Sequence, residues 1–214
     1  SAEGNYERLP GLASGMADLK VDVIVAAGSL AISAAQKATT TIPIVMGGSP
    51  NPVGSGFVKS LARPEGNITG LSTLNEEVRL KQLEMLLAIV PRLSRAAILL
   101  NSANTANATS AEKIIAEGQK RGVTIVVAEA RSSTQIDQAF ASMRRPKTGA
   151  VIIFNEALFQ QQKNQIAELT ATHRLPAVAG DRIFSEAGVL MSYGGKLAYQ
   201  YHRVATYVDK IFKG

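Results

Sequence analysis

The chain has 214 residues, 46% of them hydrophobic and 19% charged, a mix that makes a packed globular protein rather than a disordered or fibrous one. Its formal charge is +6, but the basic residues are dispersed; the densest group, Arg144-Arg145-Pro146-Lys147, reads as a solvated helix end with no aromatic strip beside it, which argues against a nucleic-acid interface. The absence of cysteine excludes disulfides, thiolate metal sites and cysteine nucleophiles, and with no tryptophan and only 5% aromatics the core has to be aliphatic.

Taken in chain order, Leu9, Leu12, Met16 and Leu19 share one helical stripe. Val21 to Ala27 is a strand of about seven residues, and Ala31 to Ala38 a short helix opened by Gly28-Ser29. The longest apolar run, Val23 to Ala35, is interrupted by Gly28, Ser29 and Ser33 and falls short of the ~20 residues a membrane span needs. Ile42 to Met46 is a strand, Ser55 to Ala62 a short helix and Ile68 to Ser72 another strand. Glu76 to Val90 is a helix with Leu80, Leu83, Leu87 and Val90 on one face and Pro91 as its stop.

Ala96 to Asn101 then reads as a strand, Ser110 to Arg121 as a helix closed by Gly122, and Val123 to Ala128 as a strand. Thr134 and Asp137 fit a capping box for a helix carrying Ile136, Phe140 and Met143. Ala150 to Phe154 is a strand followed by a helix to about His173. Ala177 to Ala179 and Val189 to Ser192 are short strands, and Leu197, Tyr201, Val204, Val208 and Ile211 mark the last helix. Strands alternating with helices specify an α/β fold with parallel sheets. The pattern alone does not separate one wound domain from two.

In such folds ligands bind outside the carboxyl ends of the strands, so the residues that follow each strand are the candidates. Gly28 and Ser29 open a helix, where free N–H groups attract a carboxylate; a plain cap is the alternative. Gly47 to Pro52 includes Ser49 and Asn51; its two glycines permit close approach of the backbone, and turn chemistry is the alternative. Further along come Asn101 with Asn104, Asn155 with Glu156, and Asp181. Either carboxylate can counter a buried ammonium, or sit in a surface loop. Tyr193 is an aromatic wall or a packing residue.

No catalytic constellation accompanies these residues. There is no G-x-G-x-x-G, no P-loop and no G-x-S-x-G elbow. His173 and His202 are the only histidines and do not have metal-ligand spacing, so no metal, no cofactor and no enzymatic activity are expected.

One stretch carries a resemblance. Ile42 to Thr73 reads IPIVMGGSPNPVGSGFVKSLARPEGNITGLST. This wording resembles the substrate-binding proteins of a bacterial ABC-transporter family that includes tryptophan- and tyrosine-uptake components. There IPIV is followed by a D-P-V-G-type loop and SLARPGGNxTG; here the loop has Asn51 in place of the aspartate and Glu65 in place of one glycine. The resemblance implies two wound lobes joined by a hinge, in the type I periplasmic-binding-protein manner. Lobe one would be about residues 1–73 plus 192–214, lobe two about 74–191, with crossings near Leu71 to Asn75 and Ser192 to Gly195.

It also implies a non-catalytic, periplasmic or extracytoplasmic protein that closes on a small solute and docks on a membrane permease. The solute class is an amino acid, aromatic ones included, though Asn51 removes a charge from the loop. In the family, E-G-N-x-x-R-L-P follows a second strand and the chain continues beyond YVDKIFKG, so strands upstream and a C-terminal segment are expected to be missing. The edge of Val21 to Ala27 would then be open to a second copy. The competing reading is the effector-binding core of a LacI-type transcription regulator, which shares the two-lobe architecture; a sugar- or nucleotide-handling α/β enzyme is a third.

Overall fold

The computed structural model describes residues 2, 5–73, 75–144, 147–195 and 197–214. Arg145 and Pro146 of the basic group, Leu74 of the first expected crossing, and Glu3-Gly4 of the leading motif lie outside these described residues. In chain order the elements are a 3-10 turn at Tyr6–Arg8, then α1 (Leu9–Asp18), β1 (Ile24–Ala26), α2 (Ser29–Ala38), β2 (Ile44–Ser49) and β3 (Ile68–Ser72). Next come α3 (Asn75–Ile89), β4 (Arg95–Leu100), α4 (Thr105–Lys120), β5 (Thr124–Glu129), α5 (Ser133–Met143) and β6 (Val151–Ile153). The series ends with α6 (Ala157–Gln161), α7 (Lys163–Thr172), β7 (Ala177–Ala179), α8 (Arg182–Glu186), β8 (Met191–Ser192) and α9 (Leu197–Lys213). The chain divides into two compact units: Ser1–Leu74 with Lys196–Gly214, and Asn75–Gly195.

Unit 1 is a parallel sheet of order β1-β2-β3. Ile24 pairs with Ile44, and Ile44 with Ile68. One face buries Ile24, Ala26, Ile44, Met46 and Ile68 against Ile32, Ala35, Phe57 and Val58. On the other face Val45 is fully buried, and α9, whose Val204 is buried, packs on β2 and β3. Val25, the register partner of Val45, is 47% exposed.

Four sequence expectations for unit 1 change. β1 has three residues instead of about seven, and β2 starts at Ile44 instead of Ile42. Pro43 has no N–H to give to a ladder, so pairing begins where Ile24 donates to its carbonyl. β2 also runs on through Gly47 and Gly48 to Ser49, with its register against β3 shifting after Met46. Ser55 to Ala62 forms turns, not a helix: Asn51 Oδ1 accepts from Gly54 N, Pro52 O accepts from Phe57 N, and Gly56 holds φ +71°. Leu19 lies past the end of α1 and is exposed, leaving Ala13 as its one buried residue.

Unit 2 is a five-stranded parallel sheet of order β5-β4-β6-β7-β8. Its strands are aliphatic because both faces are covered: Ala96 through Leu99 and Val151 through Ile152 have no exposure. Leu83, Leu86, Ile114, Ile125 and Phe154 complete the main cluster.

Here too the structure corrects details. The buried face of α3 runs through Arg79, Gln82, Leu83 and Leu86, rotated from the expected Leu80–Leu83–Leu87 stripe. Gln82 is held there by donating to Tyr193 O at 2.7 Å. α4 starts at Thr105, five residues before the expected Ser110. The cap of α5 is Ser132, whose hydroxyl accepts from Gln135 N, rather than Thr134 with Asp137. The helix expected after β6 is broken at Gln162 into α6 and α7.

Candidate functional site

In unit 2, the chain lays β5 on one side of β4 and then returns past β4 to place β6 on the other. Reversal of strand order opens a crevice at the carboxyl ends of the two strands flanking it, here β4 and β6. β4 ends at Leu100 and β6 at Ile153, so Asn101 and the Phe154–Glu156 segment fall at that point.

A buried polar network occupies it. Glu156 Oε1 accepts from Asn104 Nδ2 at 2.9 Å and from Asn107 Nδ2. Asn107 Nδ2 also approaches Asn101 O at 3.4 Å, while Asn107 Oδ1 accepts from Arg79 Nη2 at 3.2 Å. The Arg79 guanidinium lies 3.4 Å from the Phe154 ring centroid, a cation–π placement. Arg79, Asn101, Asn104, Asn107 and Glu156 are all at most 7% exposed. Burial pushes the Arg79 pKa down to about 9, with the Glu156 charge opposing the shift. Arg79 therefore remains the cation that balances Glu156 at neutral pH.

The network is incomplete in hydrogen bonds. Arg79 Nη1 and Asn101 Nδ2 are buried donors, and Asn104 Oδ1 a buried acceptor, without a hydrogen-bond partner among the described residues. Asn101 Oδ1, by contrast, accepts from Ala103 N at 3.0 Å.

In unit 1 the ends of the adjacent strands β1 and β2 bring two buried hydroxyls to the same edge. Gly28 (φ +84°) turns the chain into α2, and Ser29 sits at its first position, 7% exposed, with Oγ unpartnered. No side chain caps α2. Ser49, at the end of β2, is fully buried, and its Oγ, like that of Ser29, has no hydrogen-bond partner among the described residues. The close approach of β1 and β2 is fixed at Gly47, where a Cβ would meet Ala27 Cβ at 3.2 Å.

The remaining sequence candidates have other work. Asn51 is exposed and spends its side chain on the turn at Gly54. Asp181 is buried and caps α8 through Ile183 N. Asn155 is exposed, packed beside Gly180 at the end of β7. Tyr193 is 42% exposed and pairs its backbone with Ala179 O and Gln82. Thus Asn101, Asn104 and Glu156 share one network, whereas Asn51 and Asp181 serve local turns and caps.

Sequence reasoning missed Arg79 and Asn107. Arg79 precedes Leu83 by four residues and Leu86 by seven, so a charge stood on the apolar stripe, the one signal that marks it.

Comparison with known proteins places this architecture. The tyrosine-binding protein of Clostridioides difficile (strain R20291) is 24% identical over 204 residues, covering 94% of this chain and 58% of the relative. The chain thus spans less than two thirds of that relative's length. A Streptococcus pneumonia ABC domain, solved in complex with L-Trp, superposes with TM-score 0.89 at 20% identity, covering all of this chain and 71% of its own. A conserved domain protein of Vibrio cholerae superposes with TM-score 0.88 at 25% identity and the same coverages. The fold is that of the type I periplasmic binding proteins. The profile of the ABC transporter substrate binding protein family matches residues 1–214, and the chain belongs to that family.

Proposed function

We propose that this chain captures a small organic solute for an ABC importer, without performing chemistry on it. The carrying observation is the buried, charge-balanced network at the β4/β6 reversal, which holds unpartnered donors where α/β sheets bind ligands. In this reading binding of the solute shifts a population between open and closed forms. The N–H groups at the start of α2, with Ser29 and Ser49, receive the solute's carboxylate.

An amino acid, aromatic by analogy with the tyrosine- and tryptophan-binding relatives, is the solute class. Glu156, the expected counter-charge for an ammonium, is instead engaged with Asn104 and Asn107; Asp181 is engaged at α8. The partners in this reading are a membrane permease, outside the cytoplasm, and a second copy pairing along the edge of β1. A monomeric mass in concentrated solution scattering would remove the second copy. No residue of the site favours the regulator reading.

Because the chain has no tryptophan, added L-tryptophan excited at the red edge of its absorption, where the chain's five tyrosines do not absorb, is read without background from the protein. Saturable enhancement or blue shift of that emission, displaced by L-tyrosine, supports the proposal. Emission unchanged at millimolar protein excludes an aromatic amino acid that includes tryptophan, and calorimetry against the other amino acids then decides the class.

A further inference from the structure

We infer that the network at the β4/β6 reversal is a subsite for a hydroxyl group of the solute, built from Arg79, Asn101 and Asn104. The inference deepens the solute-binding reading and rests on it for the identity of the molecule that brings the hydroxyl.

Hydrogen-bonding capacity selects the group that fits here. Two buried donors, Arg79 Nη1 and Asn101 Nδ2, and one buried acceptor, Asn104 Oδ1, have no partner among the described residues. A hydroxyl oxygen accepts twice and donates once, which matches this inventory. A carboxylate would satisfy both donors but set a lone pair against Asn104 Oδ1. An ammonium would satisfy Asn104 and oppose Arg79. A hydrocarbon would leave all three unsatisfied, and each unsatisfied buried polar group is costly.

The three side chains belong to one connected network. Arg79 reaches Asn107, Asn107 and Asn104 share Glu156 Oε1, and Asn107 approaches the Asn101 carbonyl. The orientation of each amide is fixed by its other bond: Asn101 Oδ1 is taken by Ala103 N, and Asn104 Nδ2 by Glu156. Neither amide can therefore turn over to reverse its polarity without losing that bond. Glu156 balances Arg79, so the subsite makes no demand for a charged ligand. A site that hydrogen-bonds a hydroxyl discriminates sharply against the analogue that lacks it, because its own polar groups are then left unpaired.

The test uses the 214-residue chain with L-tyrosine, L-phenylalanine and phenol as probes. Affinities come from calorimetry, and the Asn101 side-chain amide is followed by NMR. L-Tyrosine is expected to bind about 10- to 100-fold more tightly than L-phenylalanine. Phenol or L-tyrosine is expected to shift the Asn101 amide signal. Asn101→Asp, which keeps the acceptor toward Ala103 N and removes the donor, should abolish the preference for tyrosine. Arg79→Lys, which keeps the charge and loses the second nitrogen, should reduce it.

Equal affinity for tyrosine and phenylalanine overturns the subsite while leaving solute binding intact, as does an unchanged preference in both variants. An Asn101 signal that neither tyrosine nor phenol moves also overturns it, with water alone as the enclosed partner. If phenol moves the signal and no amino acid binds, the hydroxyl subsite stands and the amino-acid reading fails.

Discussion

In unit 2, β4 runs between β5 and β6 and Ala96 through Leu99 are fully buried; in unit 1, β1 pairs with β2 alone among the described residues and Val25 is 47% exposed. The same strand–helix alternation thus yields two degrees of burial. A parallel strand loses its last exposure only when neighbours flank both edges and helices cover both faces. The polar residues differ in parallel. Unit 2 joins its buried amides and charges to one another through Asn107 and Glu156, whereas Ser29 and Ser49 in unit 1 are separate hydroxyls without hydrogen-bond partners among the described residues. A lone hydroxyl is cheap to bury compared with a guanidinium, so unit 2 needs a counter-charge and unit 1 does not.

The largest test of this contrast is apolar. Ile98→Ala, at a position with no exposure, should cost about 2–5 kcal/mol, while Val25→Ala should cost under about 1 kcal/mol, both read by chemical denaturation. Comparable losses at the two positions would show that Val25 is covered in solution. The polar contrast comes next. Glu156→Gln removes the counter-charge of buried Arg79 and should cost about 3 kcal/mol, whereas Ser49→Ala deletes an unpartnered hydroxyl and should be neutral or mildly stabilising.

Backbone geometry gives a third comparison, within unit 1. Gly70 holds φ +130°, and a Cβ there would lie 2.5 Å from Met46 N and O, so Gly70→Ala should part β3 from β2 and lower thermal stability by about 2 kcal/mol or more. In α1 a Cβ at Gly11 meets nothing within 4 Å, and Gly11→Ala should stabilise by up to about 1 kcal/mol.

The smallest effect is electrostatic. Lys81 and Arg121 hold the carboxyl of Glu84 below its ordinary value, and Arg121 does the same for Glu117. Groups depressed on folding stabilise above their unfolded pKa, and that contribution is lost as pH falls below about 4.5. Arg121→Gln should therefore flatten the acid limb of the stability profile slightly, and less so at high salt, because these pairs are exposed.

How much of this was legible in the sequence varied with the physics of each region. β3 and β7 match their expected limits, Ile68–Ser72 and Ala177–Ala179, because turn residues bound short aliphatic runs there. β1 was overread because Val21 to Val23 have strand composition, but the neighbouring ladder starts only after Pro43. The helical spacing of Ser55 to Ala62 yielded to local bonds from Asn51 and Pro52. At the site, strand-end reasoning found Asn101, Asn104 and Glu156. It missed Asn107 because the Asn-rich run after β4 reads as loop, although Asn107 lies in the first turn of α4. Arg79 was missed because an arginine on a helix is ordinarily solvated; its burial depends on Glu156 and Phe154, which are distant in sequence.

The central claim, capture of a small solute, is tested most directly by thermal unfolding of the chain against an amino-acid panel. A specific solute at about 100 times its Kd adds about 2.7 kcal/mol, a rise in Tm of about 5 °C or more for a chain of this size. Such a rise for one solute or a related group, with none for the rest, is the result predicted here. A panel in which no solute moves Tm would contradict the claim.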